Sequence, residues 1–120
     1  MARILVVDDE PTICRLVRAA LEEQGHRVIE AGDGVLGLNL AKLEKPDVIL
    51  LDIALPSMSG LEVARHLQED GAIASTPVLF LTGLVPEQES GSADSDYIAK
   101  PFSPDLLVHR VESALSTLAA

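Results

Sequence analysis

The chain has no tryptophan, one tyrosine and two phenylalanines among its 120 residues. That is too few rings to build base-stacking platforms for single-stranded nucleic acid. Basic residues are also scarce: 9 Lys and Arg stand against 19 Asp and Glu, for a net charge of −10. A surface of that sign repels phosphate backbones and anionic lipid, so no direct binding of nucleic acid or membrane is expected. The single cysteine, Cys14, excludes an internal disulfide and suits a reducing, cytoplasmic setting. No apolar run is long enough to span a bilayer. The opening "MARILVVDDEPT" does not have a secretory-signal layout, because its apolar run stops at two aspartates. Repeats, linkers and low-complexity tracts are absent too.

What is present is a 48% hydrophobic chain, long enough for one domain with one core. Its elements alternate. "RILVVDD" carries a short strand over Ile4 to Val7. A helix follows, with Pro11 in its first turn, an apolar face of Ile13, Leu16, Val17, Ala20 and Leu21, and Gly25 as its stop. "RVIEA" is a weaker strand. Asp33 starts a second helix that ends before Pro46. "DVILLD" is a strand, Ser59 caps a third helix, and "PVLFLT" and "DYIAK" are further strands. Ser103 caps the last helix, with Pro104 in its first turn. Strands alternating with helices predict a doubly wound α/β fold, a parallel sheet covered on both faces. Right-handed crossovers then bring every strand C-terminus to one edge, where ligand sites of such sheets lie.

That edge gathers a particular set of side chains. Asp8, Asp9 and Glu10 follow the first strand, Asp52 ends the third, Thr82 ends the fourth and Lys100 follows the fifth. Taken singly each has a plain reading: a helix cap, a turn residue, a strand-end hydroxyl, a solvated lysine. Taken together they place several carboxylates in one cleft, which repel unless a cation joins them. Hard oxygen ligands with room for water suit Mg²⁺. A carboxylate nucleophile, Mg²⁺, an ammonium and a hydroxyl make a phosphoryl-transfer site in which Asp52 attacks phosphorus.

The stretches "ILVVDDEP", "PDVILLDIALPSMSGLEV", "PVLFLTG" and "DYIAKPFSPDLL" resemble the receiver domain of two-component response regulators, in content and in order. The resemblance covers residues 1–120 as one receiver domain. It implies a five-stranded parallel sheet of order 2-1-3-4-5 in a flavodoxin-like three-layer αβα arrangement. By that resemblance Asp52 is the phosphoacceptor. Asp9 is the principal acidic Mg²⁺ ligand, Asp8 its acidic neighbour, and the Ala54 carbonyl the third protein ligand. Thr82 is the switch hydroxyl, Lys100 the partner of the aspartyl phosphate, and Tyr97 the switch aromatic. The Lys100–Pro101 bond is expected cis. The resemblance also implies a switch that assists its own phosphorylation and dephosphorylation, not a turnover enzyme. It would be fed by a sensor histidine kinase or phosphotransfer protein and read by a protein target or an output domain. A weak homodimer is a further expectation.

One region departs from the pattern. Thr82 and Lys100 are 100 − 82 = 18 positions apart, about one helical turn short of common family spacing, and "GLVPEQESGSADS" is rich in helix breakers. A shortened or irregular fourth helix is therefore expected there. Three other functions compete with the phosphorylated switch. A receiver-like scaffold signalling without phosphate would not need the intact acidic, hydroxyl and lysine set. A haloacid-dehalogenase-type phosphatase would need a D-x-D pair that "DDEPT" lacks. A flavin carrier would need a glycine- and hydroxyl-rich loop where "DDEP" repels anions.

Overall fold

The computed structural model describes residues 1–71, 73–83 and 97–119. They form β1 (Arg3–Val7), α1 (Pro11–Glu23), β2 (Arg27–Ala31), α2 (Gly34–Glu44), β3 (Val48–Asp52), α3 (Gly60–Glu69), β4 (Val78–Thr82), β5 (Tyr97–Ala99) and α4 (Pro104–Ala119). Every strand pairing is parallel, and the sheet order is β2-β1-β3-β4-β5, as expected. The order reverses between β1 and β3, the place where doubly wound sheets open a crevice. The shortened or irregular helix expected between β4 and β5 falls on residues 84–96, outside the described residues.

Strand alternation sorts the core into two layers. Ile4, Val6, Leu50, Leu79, Leu81 and Ile98 face α1 and α4. Leu5, Val7, Ile49 and Leu51 face α2 and α3. β3 is buried along its whole length, the pattern of a central parallel strand. Each of its apolar side chains contributes roughly 1.5–3 kcal/mol on burial, so the strand can hold a carboxylate at its end.

Local signals fix the helix starts. Pro11 opens α1 in a position where its missing N–H costs nothing. Asp33 Oδ1 accepts from Leu36 N at 2.8 Å, Ser59 Oγ from Glu62 N at 3.2 Å, and Ser103 Oγ from Leu106 N at 3.1 Å. α2 stops at Lys45, which turns left-handed (φ 48°) before Pro46. Two glycines allow close approaches. A Cβ on Gly37 would lie 2.7 and 2.8 Å from the Val7 methyls, so α2 rides directly on β1. A Cβ on Gly60 would collide with the Asp52 carbonyl oxygen and sit 2.9 Å from Ile53 Cα. Gly60 thus lets the start of α3 fold back against the end of β3, where its N–H donates to Ile53 O at 2.9 Å.

Candidate phosphoryl-transfer site

The carboxylates at the sheet edge are set by backbone turns. Asp52 ends β3 and is 4% exposed. Its Oδ1 accepts from Ala54 N at 3.0 Å. Asp8 is 1% exposed, and its Oδ1 accepts from Glu10 N at 2.9 Å. Both are Asx-type turns, with the carboxylate bonded two residues onward. With Oδ1 committed in each, the second oxygen of each carboxylate turns to Lys100. Its Nζ lies 2.7 Å from Asp8 Oδ2, 3.2 Å from Asp52 Oδ2 and 3.6 Å from Glu10 Oε1.

Lys100 reaches this position because β5 pairs with β4. Its backbone N–H donates to Thr82 O at 2.9 Å, continuing the ladder one residue past Ala99. The Lys100–Pro101 bond is cis, as expected. Phe102 then enters the core on the α1 and α4 side. Thr82 is buried at the end of β4, and Tyr97 is half-buried two positions before Ala99. The Tyr97 ring packs on Phe80, its register partner, at 5.6 Å between centroids.

Charge and burial oppose each other here. Burial pushes the Asp8 carboxyl above the usual carboxylate range. Hydrogen bonds from Lys100 and from Glu10 N–H offset part of that push, and the Asp52 charge adds to it. Burial also works against the Lys100 ammonium, but the adjacent Asp8 and Asp52 outweigh it and hold its pKa above the ordinary lysine value. Lys100 is therefore the counter-ion of a buried carboxylate pair.

The structure brings together Asp8, Glu10, Asp52 and Lys100, with one oxygen from each carboxylate lying within 4.8 Å of the others. Asp9 is exposed and lies outside that group. Glu10 also belongs to the cluster, a residue that the resemblance assigns no role. The Asx turn at Asp8, whose Oδ1 accepts from Glu10 N, brings Glu10 beside the cluster. Glu10 is also the residue before α1, and its side chain makes no capping bond. Cys14 is buried in the core with its thiol donating to Asp8 O at 3.5 Å.

A family model for the response regulator receiver domain matches residues 4–112. Protein PilH of Pseudomonas aeruginosa is 37% identical over 122 residues, which cover 97% of this chain and 99% of that protein. The DNA-binding dual master transcriptional regulator RpaA of Synechocystis is 40% identical over 119 residues, covering 96% of this chain. The chain spans 49% of RpaA, and about half the length of several other curated relatives. Among solved structures, the chemotaxis response regulator CheY4 of Vibrio cholerae superposes with a TM-score of 0.85 at 31% identity, covering 96% of this chain and 99% of that one. The receiver domain of a signal transduction histidine kinase from Syntrophus aciditrophicus gives 0.85 at 28%, covering 98% and 92%.

Proposed function

The chain belongs to the response regulator receiver domain family, and from that premise we propose that it is a phosphorylation-activated signalling switch with Asp52 as its phosphoacceptor. The observation that supports this is the meeting of Asp8, Glu10, Asp52 and Lys100 at one sheet edge. In the proposed reaction an Asp52 oxygen attacks phosphorus. A new P–O bond forms, the bond from phosphorus to the donor breaks, and the donor leaves with that electron pair. The leaving group is an imidazole nitrogen for a histidine kinase or phosphotransfer protein, and acetate for acetyl phosphate. The product is an acyl phosphate.

The donor set fits Mg²⁺, since clustered carboxylates are the hard oxygens that ion prefers. Asp8, Glu10 and Asp52 are already gathered, and Asp9 with the Ala54 carbonyl completes the proposed ligands. When bound, the ion supplies positive charge against the incoming phosphoryl oxygens. Lys100, beside Asp52 Oδ2, supplies a second positive charge. Phosphorylation adds roughly 1.5 to 2 negative charges and three acceptor oxygens. In this proposal the Thr82 hydroxyl and the Lys100 ammonium turn to those oxygens, and Tyr97 repacks as the β4 end moves. The output is a population shift at the surface around β4 and β5, read by a protein target or an output domain. The chain assists its own phosphorylation and dephosphorylation and is not a turnover enzyme.

The test is intact-protein mass spectrometry after acetyl phosphate, with Mg²⁺ and with chelator. One added phosphoryl group, dependent on Mg²⁺ and lost in Asp52→Asn, is the expected result. An unmodified wild type that is folded and Mg²⁺-replete would move the protein to the scaffold reading.

A further inference from the structure

The outward face of α2 is apolar in a chain that is otherwise acidic. Val35, Leu36 and Leu43 are 51%, 44% and 74% exposed. Asn39 and Lys42 complete the face. Apart from Met1, Leu43 is the most exposed large apolar side chain among the described residues. Glu44 is the one acid within the helix, and it is half-buried. A helix that is apolar on both its core side and its solvent side calls for a cover. Beside it runs an open groove of about 660 Å³, whose lining includes Val35, Leu36, Asn39, Pro56 and Ser57, with Asp33 and Gly32 at the N-terminal end of the helix.

The charges at the two ends of α2 say what that cover is. Asp33 stands at the N-terminal end, and Lys42 and Lys45 at the C-terminal end. Two copies laid antiparallel about a twofold axis at Asn39 set Leu43 opposite Val35, Lys42 opposite Leu36 and Lys45 opposite Asp33. The protruding leucine of each copy then meets the groove of the other. Each of these contacts occurs twice, as an isologous pairing requires. Antiparallel helices also set the positive end of one dipole beside the negative end of the other. Along this seam no acid meets an acid, although each copy carries a net charge of −10.

We propose that α2 is a homodimer seam, in which a second copy docks antiparallel and each Leu43 fills the groove of the other. One helix pair and a groove bury less than the ~1,200 Å² of standard stable complexes, so the dimer is weak and concentration-dependent. The seam reaches the loop after Asp52 through Pro56 and Ser57 and does not involve β4 or β5.

Sedimentation of the chain from about 10 μM to about 1 mM spans the affinity range of such a contact. The expected result is an average mass rising toward twice that of the monomer, with association at least tenfold weaker in Leu43→Glu. Leu43 is largely exposed, so that variant should fold, and circular dichroism checks it. Asn39→Cys, on the twofold axis, should form an intermolecular disulfide with oxidised glutathione. Glu23→Cys on α1, across the sheet, should not. A monomer over the whole range overturns the proposal. So does a dimer undiminished in Leu43→Glu, or equal cross-linking at positions 39 and 23.

Discussion

Replacing Lys100 with methionine removes the counter-ion from two buried carboxylates and keeps the length of the side chain. At an effective dielectric constant near 20, the contacts at 2.7 and 3.2 Å are each worth a gross ~5–6 kcal/mol. Most of that is cancelled by the desolvation of lysine, which the variant recovers. What remains is the uncompensated Asp8–Asp52 pair. Breaking a buried pair by removing one partner costs about 3–5 kcal/mol. The lower end applies because the Lys100 side chain is 15% exposed and Glu10 opens the site to water at 58%. For a domain of this length, about 3 kcal/mol lowers Tm by about 10 °C. The pH dependence has a definite sign. Lys100 lowers the Asp8 carboxyl in the wild type, so its loss raises that group further above its ordinary value of 3.8. The deficit of the variant is then smaller when Asp8 is protonated in folded and unfolded chains alike, and grows as pH rises through the raised folded value. Thermal melts followed by circular dichroism at pH 4, pH 7 and pH 7 with millimolar Mg²⁺ measure this. The expected result is a large deficit at pH 7, a smaller one at pH 4, and partial rescue by Mg²⁺. A variant melting within about 2 °C of wild type at pH 7 refutes the reasoning, because about 3 kcal/mol cannot hide in that interval. A deficit that deepens on acidification refutes it too.

Gly60→Ala forces a Cβ into the Asp52 carbonyl, so it should cost about 1–3 kcal/mol in urea unfolding and slow phosphorylation by acetyl phosphate. Unchanged stability would mean that the β3–α3 junction relaxes freely. Burial pushes the Cys14 thiol from 9.0 to about 11. At pH 8 it should carry about a hundredfold less thiolate than a free cysteine. Iodoacetamide should therefore label it slowly when the chain is folded and readily in denaturant; rapid labelling of the native chain would contradict its burial.

The parts of the fold written in local sequence could be read directly. Pro11, Asp33, Ser59 and Ser103 open helices because cap and proline effects act within one turn. The meeting of Asp8, Asp52 and Lys100 was also legible, since the handedness of crossovers sends all strand ends to one edge. The side-chain direction just past a strand end was harder to read. The Asx turn at Asp8 carries the chain from β1 to α1 and leaves Glu10 at the mouth of the cluster, with Asp9 exposed between them. The adjacent pair of aspartates stands out in the sequence, whereas Glu10 joins the cluster only through that turn. The Phe80–Tyr97 contact depends on the register between β4 and β5, which no local pattern specifies. The left-handed Lys45 and Ser57 were not legible either, because neither is a residue type that announces a positive φ.

The central claim is that Asp52 itself accepts the phosphoryl group. Borohydride reduces an acyl phosphate to an alcohol, converting a phosphorylated aspartate to homoserine. Peptide mapping of the acetyl-phosphate-treated, reduced chain should find homoserine at position 52 and aspartate at positions 8 and 9. Homoserine at position 8 or 9 with unaltered Asp52 would contradict the account.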